Sequence, residues 1–152
     1  MKPYLVDINI ISYLADTESP FHENVRRRFK MLHEDDVVTL SILGLYELQY
    51  GISKAGEADI SPGILKTKKK VCASLPVVPL SMEGAEIFGE VKTRYQKAFR
   101  LQKNALALAR DTADLLIASS AIETGAIMVS HDQIFRKIAQ IQPDFEVEDW
   151  AV

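Results

Sequence analysis

The stretch Tyr4-Leu5-Val6-Asp7-Ile8-Asn9-Ile10-Ile11 sets the reading of the chain. Three apolar residues end on an acid, and apolar residues at helical spacing follow. The run over residues 3–7 predicts a short strand buried on both faces. Asn9 to Ala15 predicts a helix, broken by the turn residues from Asp16 to Pro20. An acid at that junction can cap the helix that follows it. A buried strand feeding directly into a helix is the opening of a β-α-β unit, and the rest of the chain repeats the alternation.

A second helix is expected from about Pro20 to His33, then a buried strand over Val37 to Ile42. Helical spacing resumes through Ile42, Leu45, Tyr46 and Leu48, with Gly51 close behind. Gly56 to Pro62 is rich in turn residues, and Ile64 to Leu75 suits another helix. Val77 to Leu80, framed by Pro76 and Pro79, reads as a short strand. Ser81 is a good N-cap, and its helix is expected to reach about Arg100. Residues 101–110 suit a helix or a loop. Asp111 or Thr112 can cap a helix covering Leu115, Leu116, Ala118 and Ile122, with Gly125 past its end. Ile127-Met128-Val129 is the next strand, and Asp132 opens the following helix. Phe145 to Trp150 alternates as an edge strand does. The expected fold is therefore α/β, with a mostly parallel central sheet, as a single domain over residues 1–152.

The bulk composition agrees. At 152 residues, 47% hydrophobic and 26% charged, the chain is ordinary globular material and suits one domain. One cysteine, Cys72, excludes an intramolecular disulfide; in a helical pattern it reads as a packed thiol. Asp7 interrupts the N-terminal apolar stretch, no small-residue cleavage site follows, and no run of about 18 apolar residues occurs. A cytoplasmic protein, with no membrane partner, is the expectation. The net charge of −3 argues against an unaided nucleic-acid binder, an objection that softens if four of the acids hold cations. The cations are nonetheless clustered, at Arg26 to Arg28, at Lys66 and Lys68 to Lys70, and at Lys92, Arg94, Lys97, Arg100 and Lys103. Such clusters are commonly solvated helix faces.

Four acids carry the chemistry. Asp7 and Asp132 each follow a predicted strand, and sites in parallel α/β sheets form beyond the carboxyl ends of strands. Glu47 and Asp114 each lie within a helical apolar pattern next to a strand. Alone, each has an ordinary explanation: a helix cap for Asp7 and Asp132, an exposed position for Glu47, a helix-dipole acid for Asp114. Asp111 competes with Asp114 from one turn earlier. Together the four can face one cleft, where unpaired carboxylates repel and a divalent cation relieves them. Oxygen donors suit Mg²⁺ or Mn²⁺; zinc prefers imidazole or thiolate, and His22, His33 and His131 have no zinc-site spacing. His22 and His33 read as surface residues, and His131 points away from its neighbour Asp132.

These segments resemble a known family. Leu5-Val6-Asp7-Ile8-Asn9-Ile10-Ile11, then Tyr46-Glu47-Leu48-Gln49-Tyr50-Gly51, then Asp114-Leu115-Leu116-Ile117-Ala118, then Met128-Val129-Ser130-His131-Asp132-Gln133-Ile134-Phe135 look like the PIN-domain ribonucleases. Within them, the VapC toxins of type II toxin–antitoxin pairs are most similar. The resemblance implies an α/β/α sandwich, RNA cleavage dependent on Mg²⁺ or Mn²⁺, homodimers, and neutralisation by a small antitoxin. Carried over by position, Asp7, Glu47, Asp114 and Asp132 would be the catalytic, metal-binding acids. Asn9 would brace Asp7, and Ser130 would fill the hydroxyl position before the last acid. Lys92, Arg94, Lys97, Arg100 and Lys103 are the candidate RNA-backbone contacts, since their helix leads toward Asp114.

Two positions depart from the family pattern. Ile8 stands where Thr or Ser usually follows the first acid, so its side chain cannot hydrogen-bond into the cluster. Asn104 to Arg110 lacks the glycine usually found before the third acid. Neither removes a ligand. Two other readings compete: a PIN-like module impaired at Ile8 that acts by binding a partner, and a phosphatase of the haloacid-dehalogenase type. The latter needs a second Asp two residues after the first, where this chain has Asn9. Phe21, Phe29, Met31 and Leu32 suit either a dimer or antitoxin groove or the core.

Overall fold

The computed structural model describes residues 1–56 and 61–152. The turn expected from Gly56 to Pro62 lies mostly outside them. The elements run β1 (Pro3–Val6), α1 (Ile8–Ala15), α2 (His22–Lys30), β2 (Val37–Ser41), α3 (Ile42–Ser53), α4 (Pro62–Ala73), β3 (Val77–Val78), α5 (Met82–Ala98), α6 (Ala105–Thr124), β4 (Ile127–Val129), α7 (Gln133–Ile141) and β5 (Val147–Glu148).

The five described strands form one sheet in the order β3-β2-β1-β4-β5, and every pairing is parallel. β1 lies at the centre. Its Leu5 pairs with Thr39 of β2 on one side and Met128 of β4 on the other. Alternation along the strands divides the core in two. Leu5 and Met128 join Val91, Tyr95, Leu115, Phe135 and Ile138, which come from α5, α6 and α7. Tyr4, Val6, Leu40 and Val129 face the other way, onto Ile10, Ile11, Val25, Leu48 and Cys72 of α1 to α4. Helices thus cover both faces, giving the expected three-layer α/β/α sandwich.

Strand-to-helix junctions place the site. Asp7 caps α1, Ser41 caps α3 and Asp132 caps α7, each accepting from a backbone N–H of the first turn. At the other end of α6, Gly125 adopts φ 65, and Ala126 N–H donates to Ala121 O at 2.9 Å. That left-handed stop turns the chain into β4.

Three expectations need correction. α6 begins at Ala105, with Asn104 as its cap accepting from Ala107 N–H, so Asp111 and Thr112 lie inside the helix. Residues 105–110 are rich in alanine and leucine, and their helix propensity extends the helix backward past the acid that looked like a cap. The strand expected from Phe145 to Trp150 is confined to Val147–Glu148, although it does occupy the sheet edge. His22 is not a surface residue: its side chain is 13% exposed, and Nδ1 lies 3.1 Å from Tyr13 O. Phe21, Phe29 and Leu32 pack onto the second core, whereas Met31 is exposed.

Candidate metal centre

Asp7 is fixed at both carboxylate oxygens. Its backbone N–H donates to Val129 O at 2.8 Å, which extends the β1–β4 pairing by one residue. Oδ1 then accepts from Ile8 N–H at 2.8 Å, and Oδ2 accepts from the Ser130 hydroxyl at 2.7 Å. Ser130 is buried at the end of β4 and is held in turn. Its N–H donates to Glu148 O at 3.1 Å, and its Oγ accepts from Asp132 N–H at 3.0 Å and from Asn9 Nδ2 at 3.4 Å. Asn9 thus reaches Asp7 through Ser130. Its other amide atom, Oδ1, is buried and has no partner among the described residues. An orphaned acceptor beside a carboxylate is costly unless water or a ligand completes it.

Asp7, Glu47 and Asp114 are each shifted in part by the charge of another acid of the set. Burial is the main force raising the Asp7 carboxyl above its usual range, against the Ser130 and Ile8 hydrogen bonds, and Asp132 adds to the rise. Asp114, on the inner side of α6, is pushed up to about 7. Burial contributes most there, followed by the charges of Asp7, Asp132, Glu47 and Asp111. Glu47 is exposed along α3, yet its carboxyl is also raised, by partial burial and then by Asp7. Asp132 is exposed beyond its capping bond to Ile134 N–H. The cluster therefore combines two enclosed acids with two that open toward solvent.

One cation balances it in part. Lys68 of α4 lies close enough to pull the Glu47 carboxyl down, and burial lowers its own ammonium. Sequence reasoning left Lys68 within a basic run. The missed signal is its spacing: Leu65, Lys68 and Cys72 share one helical stripe, and the outer two pack inward. The five expected RNA contacts are not among the charges that shift Asp7, Glu47 or Asp114. Arg94 donates to Gln142 Oε1 at 2.9 Å, and Lys92 lies over the Phe88 ring, 5.3 Å from its centroid.

Asp111 does not belong to the cluster's inner set. It is buried between α5 and α6, accepting from Tyr95 OH at 2.6 Å and from Arg110 Nε at 2.9 Å. Those partners hold its carboxyl below the usual range against the opposing pull of burial. Its neighbour one turn on stands with carboxylates instead. His131 is also engaged elsewhere: Nδ1 lies 2.8 Å from Asp149 Oδ2, and the ring packs on Phe21 with centroids 4.6 Å apart.

Among the described residues, no three His, Cys, Asp or Glu side chains are close-set enough to hold an ion as they stand. The fit to a cation rests instead on donor chemistry and on mutual repulsion. Every candidate donor is a carboxylate, hydroxyl or amide oxygen; Cys72 is buried in the second core and His131 is tied to Asp149. Such a set matches a hard divalent cation.

The PIN domain pattern matches residues 4–141, most of the chain and a span within which the four acids lie. This chain belongs to the PIN-domain family. It is also similar to Ribonuclease VapC2 of Rickettsia felis, with 26% identity over 148 residues and 97% of each chain covered. The PIN fold is shared with VapBC2 of Rickettsia felis bound to a promoter DNA fragment, at a TM-score of 0.73 and 23% identity, covering 97% of this chain and 98% of that one. VapBC-1 of nontypeable Haemophilus influenzae gives 0.69 and 21%, covering 99% of both. In this PIN domain the Ile8 side chain offers no hydroxyl to the first acid, whose Oδ2 accepts from Ser130 instead of standing free.

Proposed function

We infer that this chain is a metal-dependent endoribonuclease, the toxin of a VapBC-type pair, and that residues 1–152 act as one nuclease domain. The observation that carries this is the PIN-domain match over residues 4–141, a span that contains four carboxylates of which Asp7, Glu47 and Asp114 are each pushed up in part by another acid of the set. Clustered carboxylates that raise one another are poised to accept a cation.

Asp7, Glu47, Asp114 and Asp132 would hold Mg²⁺ or Mn²⁺, with Asp7 and Asp114 as the primary pair because they are the more enclosed. When bound, the cation supplies Lewis acidity, favouring ionised water for in-line attack and neutralising charge at phosphorus. Ser130 and the Ile8 N–H keep the Asp7 carboxylate in one orientation. Asn9 steadies the Ser130 hydroxyl and leaves one acceptor free beside it. Glu47 and Asp132, on the open side, are placed to orient water or substrate. Lys92, Arg94, Lys97, Arg100 and Lys103 remain the proposed backbone contacts at longer range.

The solved relatives described as toxin–antitoxin complexes support a small antitoxin as protein partner, and a homodimer is the proposed assembly. RNA is the proposed substrate and the cytoplasm the proposed location. No helix among the described residues is long and apolar enough to cross a membrane. The test is incubation with total cellular RNA in Mg²⁺, in Mn²⁺ and in EDTA, beside Asp7→Asn. Cleavage that needs both the metal and Asp7 is expected. Equal cleavage by Asp7→Asn would overturn the assignment.

A further inference from the structure

The chain after β5 is fastened to the turn between β4 and α7, which carries Ser130 and Asp132. Glu148 O accepts from Ser130 N–H at 3.1 Å, and one residue on, Asp149 Oδ2 lies 2.8 Å from His131 Nδ1. The Asp149 side chain is only 6% exposed, and a buried carboxylate needs donors. Oδ1 accepts from Ala151 N–H at 2.9 Å, and Oδ2 accepts from the Arg136 guanidinium of α7 as well as from His131. A carboxylate only accepts, so His131 Nδ1 carries the hydrogen. The segment that brings Asp149 there is itself anchored. Trp150 is buried, with its ring centroid 5.2 Å from that of Tyr4 in β1 and 5.1 Å from that of Phe29 in α2. Asn24 Nδ2 of α2 donates to Ala151 O at 2.9 Å.

Asp149 is not among the charges that shift Asp7, Glu47 or Asp114, so it stands outside the acid cluster. It meets that cluster through His131. The imidazole packs on Phe21, with centroids 4.6 Å apart, and stands edge-on to Tyr13 at 6.0 Å. Tyr13 belongs to α1, the helix that Asp7 caps. His131 is therefore held from the C-terminal segment and from α1 at once, and its backbone leads directly back to Ser130. We propose that Asp149 is a positioning residue for the metal centre: by holding His131 it fixes the β4–α7 turn with the Ser130 hydroxyl on Asp7. The proposal rests on the metal-dependent reading and adds to it a residue that touches neither cation nor substrate.

Asp149→Asn keeps the size of the side chain but turns an N–H donor toward His131 and Arg136. His131→Phe keeps a ring on Phe21 and removes the Nδ1–H from the other side of the same bond. Mn²⁺ binding to the metal-free protein is measured by calorimetry, beside Ser130→Ala and beside Tyr95→Phe, which disturbs a buried carboxylate elsewhere. Asp149→Asn and His131→Phe should each weaken Mn²⁺ binding about tenfold, the low end for partners of metal ligands. Tyr95→Phe should bind as the parent does. Asp149→Asn combined with Ser130→Ala should bind no more weakly than Ser130→Ala alone, because both act through the one bond to Asp7. Saturating Mn²⁺ should restore RNA cleavage to Asp149→Asn and to His131→Phe.

If the wild type binds Mn²⁺ and Asp149→Asn binds it as tightly, the positioning role is wrong and the metal-dependent reading survives. Equal weakening in Tyr95→Phe, or full additivity with Ser130→Ala, would reduce the effect to general stability and remove the role. If His131→Phe binds Mn²⁺ normally yet stays slow at saturating metal, His131 works on the substrate itself and the role is again wrong. If the wild type binds no Mn²⁺, the metal-dependent reading falls and this role falls with it.

Discussion

The Ser130 hydroxyl donates to Asp7 Oδ2 at 2.7 Å, tying the ends of β4 and β1 together across 123 residues of chain. It links a residue after the fourth strand to the acid after the first. Removing it with Ser130→Ala frees one oxygen of Asp7 and leaves the Asn9 amide and the Asp132 N–H without their shared acceptor. Outer partners of metal ligands typically matter about 10–100-fold in affinity. Ser130→Ala should weaken Mn²⁺ binding by that order, measured by calorimetry, while the circular dichroism spectrum stays unchanged.

Asp114 links pH to stability in the metal-free protein. Its carboxyl titrates at about 7 in the folded state against an ordinary value of 3.8. Between those values the folded chain holds a proton that the unfolded chain has released. Stability from this group is therefore full below about pH 4, falls as pH rises, and is lost by about pH 7. Thermal unfolding in EDTA should show a decline over that window that is shallower in Asp114→Asn. Asp7 and Glu47 act in the same direction. Added Mg²⁺ should raise the melting temperature more at pH 8 than at pH 5.5.

The bond between Tyr95 and Asp111 is structural. Tyr95→Phe keeps the ring but leaves a buried carboxylate with one donor fewer. A loss of about 1–3 kcal/mol in urea unfolding is expected, with Mn²⁺ affinity close to that of the parent. A large loss of Mn²⁺ affinity without a stability change would place Asp111 in the metal site instead.

Two helices end in the same way with different residues. α6 stops at Gly125 with φ 65; α5 stops with Arg100 at φ 55, and Leu101 N–H donates to Gln96 O at 2.8 Å. An L side chain with a Cβ is strained there, by about 1–2 kcal/mol. Gly125→Ala should therefore destabilise by about 1 kcal/mol, and Arg100→Gly should stabilise by a similar amount in chemical denaturation. If Arg100 also contacts RNA, that second variant will bind RNA less well while folding more stably.

Local rules made much of this legible. Asp7 and Asp132 read as strand-end acids because an apolar run before each meets helical spacing after it, and both are N-caps. Gly125 read as a helix stop because its position needs a left-handed backbone. The start of α6 lay in the helix formers of residues 105–110 after Asn104, but Asp111 competed as a cap, and its real role shows only when Tyr95, 16 residues earlier on another helix, supplies its partner. Lys68 was hidden for a similar reason: its meeting with Glu47 depends on how α4 packs on α3. The sheet order and the Ser130 bond likewise come from strand pairing, which no single stretch of sequence contains.

The central claim is that Asp7 and Asp114, and not Asp111, bind the cation that drives RNA cleavage. The direct measurement is calorimetric titration of Mn²⁺ into the metal-free wild type, Asp7→Asn, Asp114→Asn and Asp111→Asn at pH 8, each verified as folded. Saturable binding by the wild type and Asp111→Asn, lost in the Asp7 and Asp114 variants, is the predicted result. No binding by the wild type, or loss in Asp111→Asn equal to that in Asp114→Asn, would contradict it.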